Sequence, residues 1–325
     1  MMDIEQVLKF YDEDLKEVEA NLKENLKSHA PMIAQVGNHL LISGGKRLRP
    51  LLVILSSRFC RYEGEADIYL ASIVEFIHTA SLLHDDVIDS AEIRRGKPVA
   101  NSIWGNEASI LVGDYLYSKA LKLAVGLKNQ RIMDTLSEAT TTMSEGQIIE
   151  LLKINDPDIT EEEYLKMVEA KTAVLISACC RVGAIISGVE KKVEESLANF
   201  GLNLGMAFQL ADDILDYRAD ELKLGKTLGK DLDEGKITLP LIHLLKRGKT
   251  EEVTGVKEII RTNGFKPKDL EFILMLMNKY DSLGFCLYRA KEYLRKAKES
   301  IGIFEDTPLK EALFAVADYV INREN

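Results

Sequence analysis

The sequence predicts an all-α protein, one large helical bundle, and three observations carry that expectation. Helical periodicity runs through almost every stretch of the chain, strand-like alternation of Val, Ile and Thr is scarce, and only seven prolines interrupt it. The first element is residues 4–27, where Ile4, Val7, Leu8, Tyr11, Leu15, Val18, Leu22 and Leu26 recur at three- and four-residue spacing. The same habit, with longer apolar stretches, predicts helices over 50–61, 66–88, 106–127, 129–153, 161–187, 192–218 and 237–247. Breaks fall at Gly44-Gly45, at Gly96-Lys97-Pro98, at Asn155-Asp156-Pro157 and between Gly225 and Gly235. Beyond Pro157, Thr160 and Glu163 have the spacing of a capping box for the next helix. Segments 66–88, 165–187 and 199–216 are apolar nearly all round, as helices surrounded by other helices are.

The chain has 325 residues, and 46% of them are hydrophobic against 29% charged, so a large core is expected and disorder is not. Length alone suggests about two domains. No linker or low-complexity segment divides the chain, and the expectation is a single domain over 1–325. The formal net charge of -10 argues against general nucleic-acid binding, which needs a basic face. It leaves room for an anionic substrate held through divalent cations. Cys60, Cys179, Cys180 and Cys286 lie in apolar runs without CxxC spacing, which reads as buried free thiols and fits a reducing cytoplasm. The acidic, amphipathic N-terminus is not a signal peptide, and no apolar stretch of about 18 residues lacks charges, so no transmembrane segment is expected.

One internal echo points to chemistry. Residues 81–89 (SLLHDDVID) resemble residues 208–216 (FQLADDILD), each an apolar helix ending in D-D-x-x-D. The pair suggests two facing helices that bring Asp85, Asp86 and Asp89 and Asp212, Asp213 and Asp216 to one cavity. Carboxylates four residues apart share a helix face about one turn from each other, and they repel unless a cation lies between them. A helix C-terminus also favours a cation. All-oxygen ligation points to magnesium, with substrate phosphates completing the shell. The alternative is a solvated acidic helix end, which suits one such cluster better than two embedded in apolar helices.

Basic groups accompany both clusters. Residues 44–50 (GGKRLRP) set Lys46 and Arg49 on one side, Arg94-Arg95-Gly96 follows the first cluster, and Lys226 and Lys236 follow the second. Alternating carboxylates and cations suit two polyphosphate groups, one held through magnesium and one directly by lysine and arginine. Taken alone, residues 44–50 also read as a solvated basic turn. Gly225-Lys226-Thr227 is not a P-loop, and there is no nucleophile elbow, HExxH or His/Cys ligand set. His29, His39 and His243 read as structural, as does Trp104 in the core, while His78 and His84 lie in the helix running into the first cluster.

Residues 44–50, 78–96 (HTASLLHDDVIDSAEIRRG) and 208–216 together resemble the head-to-tail trans-isoprenyl diphosphate synthase, or polyprenyl synthetase, family, and are most like its long-chain octaprenyl members. The resemblance spans about residue 30 to the C-terminus. It implies an isoprenoid-synthase-type bundle of about ten or more helices around a central cavity, a homodimer, and three magnesium ions per active site. It implies that Asp85, Asp89 and Asp212 are metal ligands, completed by Asp86, Asp213 and Asp216. Arg94, Lys171, Thr172, Gln209, Lys226 and Lys236 match the allylic-diphosphate positions. Lys46, Arg49, His78 and Arg95 match the isopentenyl-diphosphate positions. The implied reaction ionises an allylic diphosphate and joins isopentenyl diphosphate to the resulting cation, with Lys171 and Lys226 among the catalytic groups.

Product length should follow the depth of the apolar cavity below the first cluster. Counting back from Asp85, the cavity face includes Ser81, Ala80, Ile77, Val74 and Ile73, with Leu123, Ala124 and Leu136 on neighbouring helices. Short-chain members of the family tend to carry a bulky aromatic at position 80 or 81. Here both residues are small, which favours an apolar cleft deep enough for a product of about C35 to C50; the alternative is that Ala80 and Ser81 merely allow close helix packing. A farnesyl or geranylgeranyl diphosphate synthase, a terpene cyclase and a non-catalytic regulatory subunit are the alternatives. The cyclase is disfavoured by the intact second aspartate motif, and the regulatory subunit by the intact aspartates of both.

Overall fold

The computed structural model describes residues 2–42, 45–94, 96–218, 228–262 and 266–322. Helices dominate, and the described residues hold one sheet, a two-stranded one. The chain groups into two compact units. Unit 1 comprises Met1–Thr140, Ala178–Ala198 and Phe304–Val316; unit 2 comprises Thr141–Ser177, Asn199–Ile303 and Ala317–Asn325.

Unit 1 opens with α1 (Ile4–Phe10) and α2 (Asp12–Asn25). The single helix expected over 4–27 is interrupted at Tyr11, which leaves helical backbone angles at φ -97°, ψ 16°. There follow α3 (Pro31–Ile42), α4 (Leu48–Phe59) and α5 (Ala66–Ile88). Next come β1 (Ile93–Arg94) and β2 (Lys97–Pro98), then α6 (Ala100–Trp104) and α7 (Asn106–Gly126). The helix α8 (Gln130–Leu152) begins in this unit.

α5 forms the heart of unit 1, packed against α2, α4 and α7. By length and composition it could cross a membrane, but 72% of its most apolar stretch is buried inside the protein. Leu70, Ile73, Val74, Phe76, Ile77 and Leu83 are all buried, at roughly 1.5–3 kcal/mol of stabilisation apiece. Two buried acids on the same helix are paired, which is what makes their burial tolerable. Asp67 accepts from Arg58 Nε at 2.9 Å and from the Ser57 hydroxyl at 3.0 Å, and Glu75 meets Arg47 Nη1 at 2.5 Å.

Unit 2 is built on α9 (Glu161–Val168), a π-helical turn (Glu169–Ala173) and the start of α10 (Val174–Ile186). It includes most of α11 (Lys191–Asp216) and then α12 (Lys230–Asp233), α13 (Leu239–Arg247), α14 (Thr250–Arg261), α15 (Pro267–Lys279) and α16 (Ser282–Gly302). The last helix, α17 (Pro308–Asn322), follows. One apolar cluster fills this unit, with Tyr164, Val168, Leu210, Ile214, Leu241, Val256 and Ile273 among its buried members. The capping box is present: the Thr160 hydroxyl accepts from the Glu163 amide at 3.2 Å, and the Glu163 carboxylate accepts from the Thr160 amide at 2.8 Å. Cys179, Cys180 and Cys286 are buried, Cys60 is half-buried, and all four are free thiols.

Candidate active site

The first acidic cluster sits where α5 stops. Asp89 is its C-cap, and Ser90 follows in the left-handed region at φ 50°. The Ser90 amide donates to Val87 O at 3.2 Å and the Ala91 amide to Asp86 O at 2.9 Å, the paired bonds of a Schellman motif. Asn101 Nδ2 donates to both Asp86 O and Ala91 O at 3.2 Å. The backbone at this helix end is thus closed by the protein itself.

The three carboxylates differ in surroundings. Asp86 is fully buried, and its Oδ1 accepts from Arg94 Nε at 3.0 Å and Nη2 at 2.9 Å. Arg94 is delivered there by the short β1–β2 hairpin, whose turn includes Gly96 at φ 72°. Asp85 and Asp89 are only half-buried and lie one turn apart, their backbones joined by the Asp89 amide donating to Asp85 O at 2.8 Å. Burial, and then the charge of Asp85, pushes the Tyr117 phenol up to about 12. His84 turns to α7, bonding Ile110 O at 3.2 Å, and a Cβ on Gly113 would come within 2.3 Å of its Nε2. Glycine at 113 is what lets α7 approach.

The basic segment lies in the same unit. Arg47 takes a left-handed conformation at φ 48° and starts α4. Its guanidinium is directed at Glu75, whereas Lys46 is exposed. Arg49 Nη1 lies 3.1 Å from His78 Nε2, so two residues expected to hold isopentenyl diphosphate meet. Arginine donates only, so Nε2 is the acceptor and the neutral ring carries its proton on Nδ1. Arg95 lies outside the described residues.

The second acidic cluster ends α11. Asp213 is buried and accepts from Gln209 Nε2 at 2.9 Å and from the Tyr164 hydroxyl in a short bond. Burial, against the pull of those two donors and with smaller help from the charges of Asp212 and Asp216, raises its carboxyl to about 7. Asp216 accepts from the Lys230 and Asp231 amides at 3.2 Å, holding α12 close. Asp231 thereby joins the cluster; burial, then Asp216 and Asp213, push its carboxyl well up, opposed by Lys236. Asp212 is half-buried. Lys236 donates to Glu234 at 2.7 Å, and Lys226 lies outside the described residues.

Lys171 and Thr172 occupy the π turn, closed by the Val174 amide bonding Glu169 O. The Lys171 ammonium pairs with Glu150 on α8, and the Thr172 hydroxyl donates to Gln209 Oε1 at 2.9 Å. Two glycines make room for the turn. A Cβ on Gly146 would lie 2.9 Å from the Lys171 amide nitrogen, and one on Gly205 would lie 2.5 Å from the Ala173 Cα.

Of the positions expected to set product length, Ala80, Ile77 and Leu136 are buried in unit 1. Ser81 is half-buried, and its hydroxyl bonds His78 O at 2.8 Å. On the α5 wheel Ser81 is about 40° from Asp85 and Ala80 about 140°.

The donor chemistry fits magnesium. No group of three or more His, Cys, Asp or Glu residues forms a metal cage among the described residues. Magnesium needs none, because it binds through one or two carboxylates and completes its shell with water and phosphate oxygens. Asp85, Asp89 and Asp212, the positions expected to bind it, are half-buried rather than sealed in the core.

Sequence reasoning missed Tyr164, Glu150 and Asp231. Tyr164 carried a usable signal, since it falls on the buried stripe with Met167 and Val168, where a phenol needs a partner. Glu150 and Asp231 had none. His39 and His243, read as structural, each have partners: His39 meets Pro98 O at 2.8 Å and Trp104 edge-on, and His243 meets Ser282 at 3.0 Å and stacks on Phe285.

Known proteins share this sequence and fold. The polyprenyl synthetase family profile matches residues 30–277. The octaprenyl diphosphate synthase of Escherichia coli is 40% identical over 323 residues, covering 99% of this chain and 100% of the relative. A decaprenyl diphosphate synthase from Rhodobacter capsulatus superposes with a TM-score of 0.94 at 38% identity, covering 98% of this chain and 99% of that one. A polyprenyl synthase from Caulobacter crescentus, solved with calcium and isoprenyl diphosphate, gives 0.94 at 36% identity, covering 99% and 98%. Fold and sequence together place the chain among the prenyltransferases. It belongs to the polyprenyl synthetase family.

Proposed function

We propose that this chain is a magnesium-dependent trans-polyprenyl diphosphate synthase that extends an allylic diphosphate with isopentenyl units to a long product of about C35 to C50. One observation carries the reading: Arg94 engages buried Asp86, while Asp85 and Asp89 stand half-buried one turn apart at a closed helix end. Similarity to octaprenyl and decaprenyl diphosphate synthases supports the long product, as do the small residues at 80 and 81.

When bound through Asp85, Asp89 and Asp212, magnesium supplies positive charge against the departing pyrophosphate. Asp86, Asp213 and Asp216 complete the two clusters, which serve one ionisation step. Arg94, Lys171, Lys226 and Lys236 stabilise the same developing charge directly. Lys46, Arg49, His78 and Arg95 hold isopentenyl diphosphate, whose double bond attacks the allylic cation. Carbonyl and hydroxyl dipoles around Thr172 and Gln209 face that cation, and the proton released at the end goes to pyrophosphate. Holding both substrates in attack geometry supplies much of the remaining acceleration.

The protein acts as a homodimer in the cytoplasm. The exposed apolar stripe of Leu111, Leu121 and Val125 on α7 supports self-association. The test is incubation of purified protein with magnesium, farnesyl diphosphate and labelled isopentenyl diphosphate, with products sized by chromatography. Label in chains of about C35 or longer is the expected result. Absence of incorporation overturns the reading, label confined to C15–C20 products favours a short-chain synthase, and hydrocarbon formed without isopentenyl diphosphate favours a cyclase.

A further inference from the structure

Tyr164 has no part in the chemistry described so far, yet it is one of the largest fully buried side chains, on a helix whose other buried residues are apolar. Its hydroxyl donates to Asp213, itself buried. Asp213 also accepts from Gln209 one turn earlier on α11, and Gln209 accepts from Thr172 in the π turn. The result is an unbroken chain of three hydrogen bonds, Tyr164 to Asp213, Gln209 to Asp213, and Thr172 to Gln209, which binds α9, α11 and the π turn. A phenol buried against apolar neighbours needs a partner, and a buried carboxylate needs donors. Each satisfies the other, and the two together fix the end of α11 against the segment that carries Lys171.

We infer that Tyr164 is a positioning residue, which through Asp213 and Gln209 holds Asp212 in register with the Lys171–Thr172 turn. The inference rests on the function proposed above. It makes Asp213 a structural relay within the aspartate motif, with Asp212 as the member of that pair that meets the cation. The geometry agrees: Asp213 is 1% exposed and occupied by two donors, while its neighbour Asp212 is half-buried.

Two variants test it on the whole enzyme. Tyr164→Phe keeps the ring and removes the hydroxyl. It is expected to lower kcat about tenfold or more and to raise the magnesium concentration needed for half-maximal rate, with the KM for isopentenyl diphosphate unchanged within about twofold. A fall in active fraction alone, with unaltered magnesium dependence and KM values, would show a purely structural role and overturn the inference. Wild-type behaviour would overturn it equally.

The second arm does not depend on how Tyr164→Phe folds. Asp213→Asn keeps an acceptor for the Tyr164 hydroxyl, and its amide can donate to Gln209 if the Gln209 amide turns over. Gln209 then donates to the Thr172 hydroxyl, so the chain of bonds survives without the charge. Asp213→Asn should therefore retain about a tenth or more of wild-type kcat, against a loss of about a hundredfold or more for Asp213→Ala. Equal loss in both variants would mean that the Asp213 charge is what matters, and would overturn the inference. A wild-type protein that elongates no allylic diphosphate overturns the proposed function, and the inference with it.

Discussion

Gly205 on α11 lies so close to Ala173 in the π turn that a methyl group on it would fall 2.5 Å from the Ala173 Cα. The neighbour is backbone, so there is no flexible side chain to move aside. Gly205→Ala is expected to cost about 1–3 kcal/mol as overpacking, read as a lower melting temperature, and to reduce turnover by displacing Lys171. Gly146→Ala, which would meet the Lys171 amide at 2.9 Å, should act in the same direction.

Arg47 and Glu75 form an ion pair in which both side chains are at most 10% exposed. Removing one partner leaves a buried charge, so Glu75→Ala should cost about 3 kcal/mol. Replacing both, as Arg47→Met with Glu75→Leu, should cost less than Glu75→Ala alone. Urea denaturation of the three proteins measures the difference.

Asp85→Ala and Asp212→Ala should each lower kcat by about a hundredfold or more while leaving helix content and melting temperature near wild type, because neither carboxylate is buried. Chelation should abolish activity and added magnesium restore it. The radiolabel assay and circular dichroism separate lost chemistry from lost fold.

Ala80→Tyr should shorten the product. Position 80 is fully buried on α5 in unit 1, and a phenol there would fill the space that the proposed function gives to a growing chain. If no such space exists, the variant instead loses about 1–3 kcal/mol through overpacking and makes products of unchanged length. Chromatography of the prenyl products decides between these outcomes.

Acid should weaken the start of α9. Hydrogen bonds from the Thr160 amide and hydroxyl, and from Lys153, hold the Glu163 carboxyl down at about 2, below its ordinary 4.5. A depressed carboxyl contributes stability that is present above 4.5 and lost as pH falls towards about 2. The melting-temperature gap between wild type and Glu163→Ala should therefore narrow through that window.

Much of this architecture is legible in the residues. The segment 66–88 reads as a buried helix and is α5 to the residue, and both D-D-x-x-D runs fall at helix ends as their apolar approach predicts. The capping box at Thr160 and Glu163 is equally local and equally plain. The break at Tyr11 and the π turn at Glu169–Ala173 leave no such trace, since apolar periodicity continues through both. The β1–β2 ladder is two residues long and depends on Gly96 rather than on strand propensity. Within the site, residue types and spacing pick out the acids and bases. The division of labour among adjacent aspartates does not follow from spacing, because it depends on which side chain the fold buries: Asp86 on Arg94 and Asp213 on Tyr164.

The π turn adds one residue to the helix that carries Tyr164 and Lys171. Each extra residue turns a helix by about 100°, so whatever follows the bulge faces a direction that an unbroken helix would not give it. Deleting a single residue between 169 and 173 would heal the helix and make it locally more regular. It would also disturb the turn in which Thr172 meets Gln209, and rotate everything from Val174 on against Tyr164. A gain in regularity at this point would be a loss of enzyme, and selection for stability alone would tend to erase it.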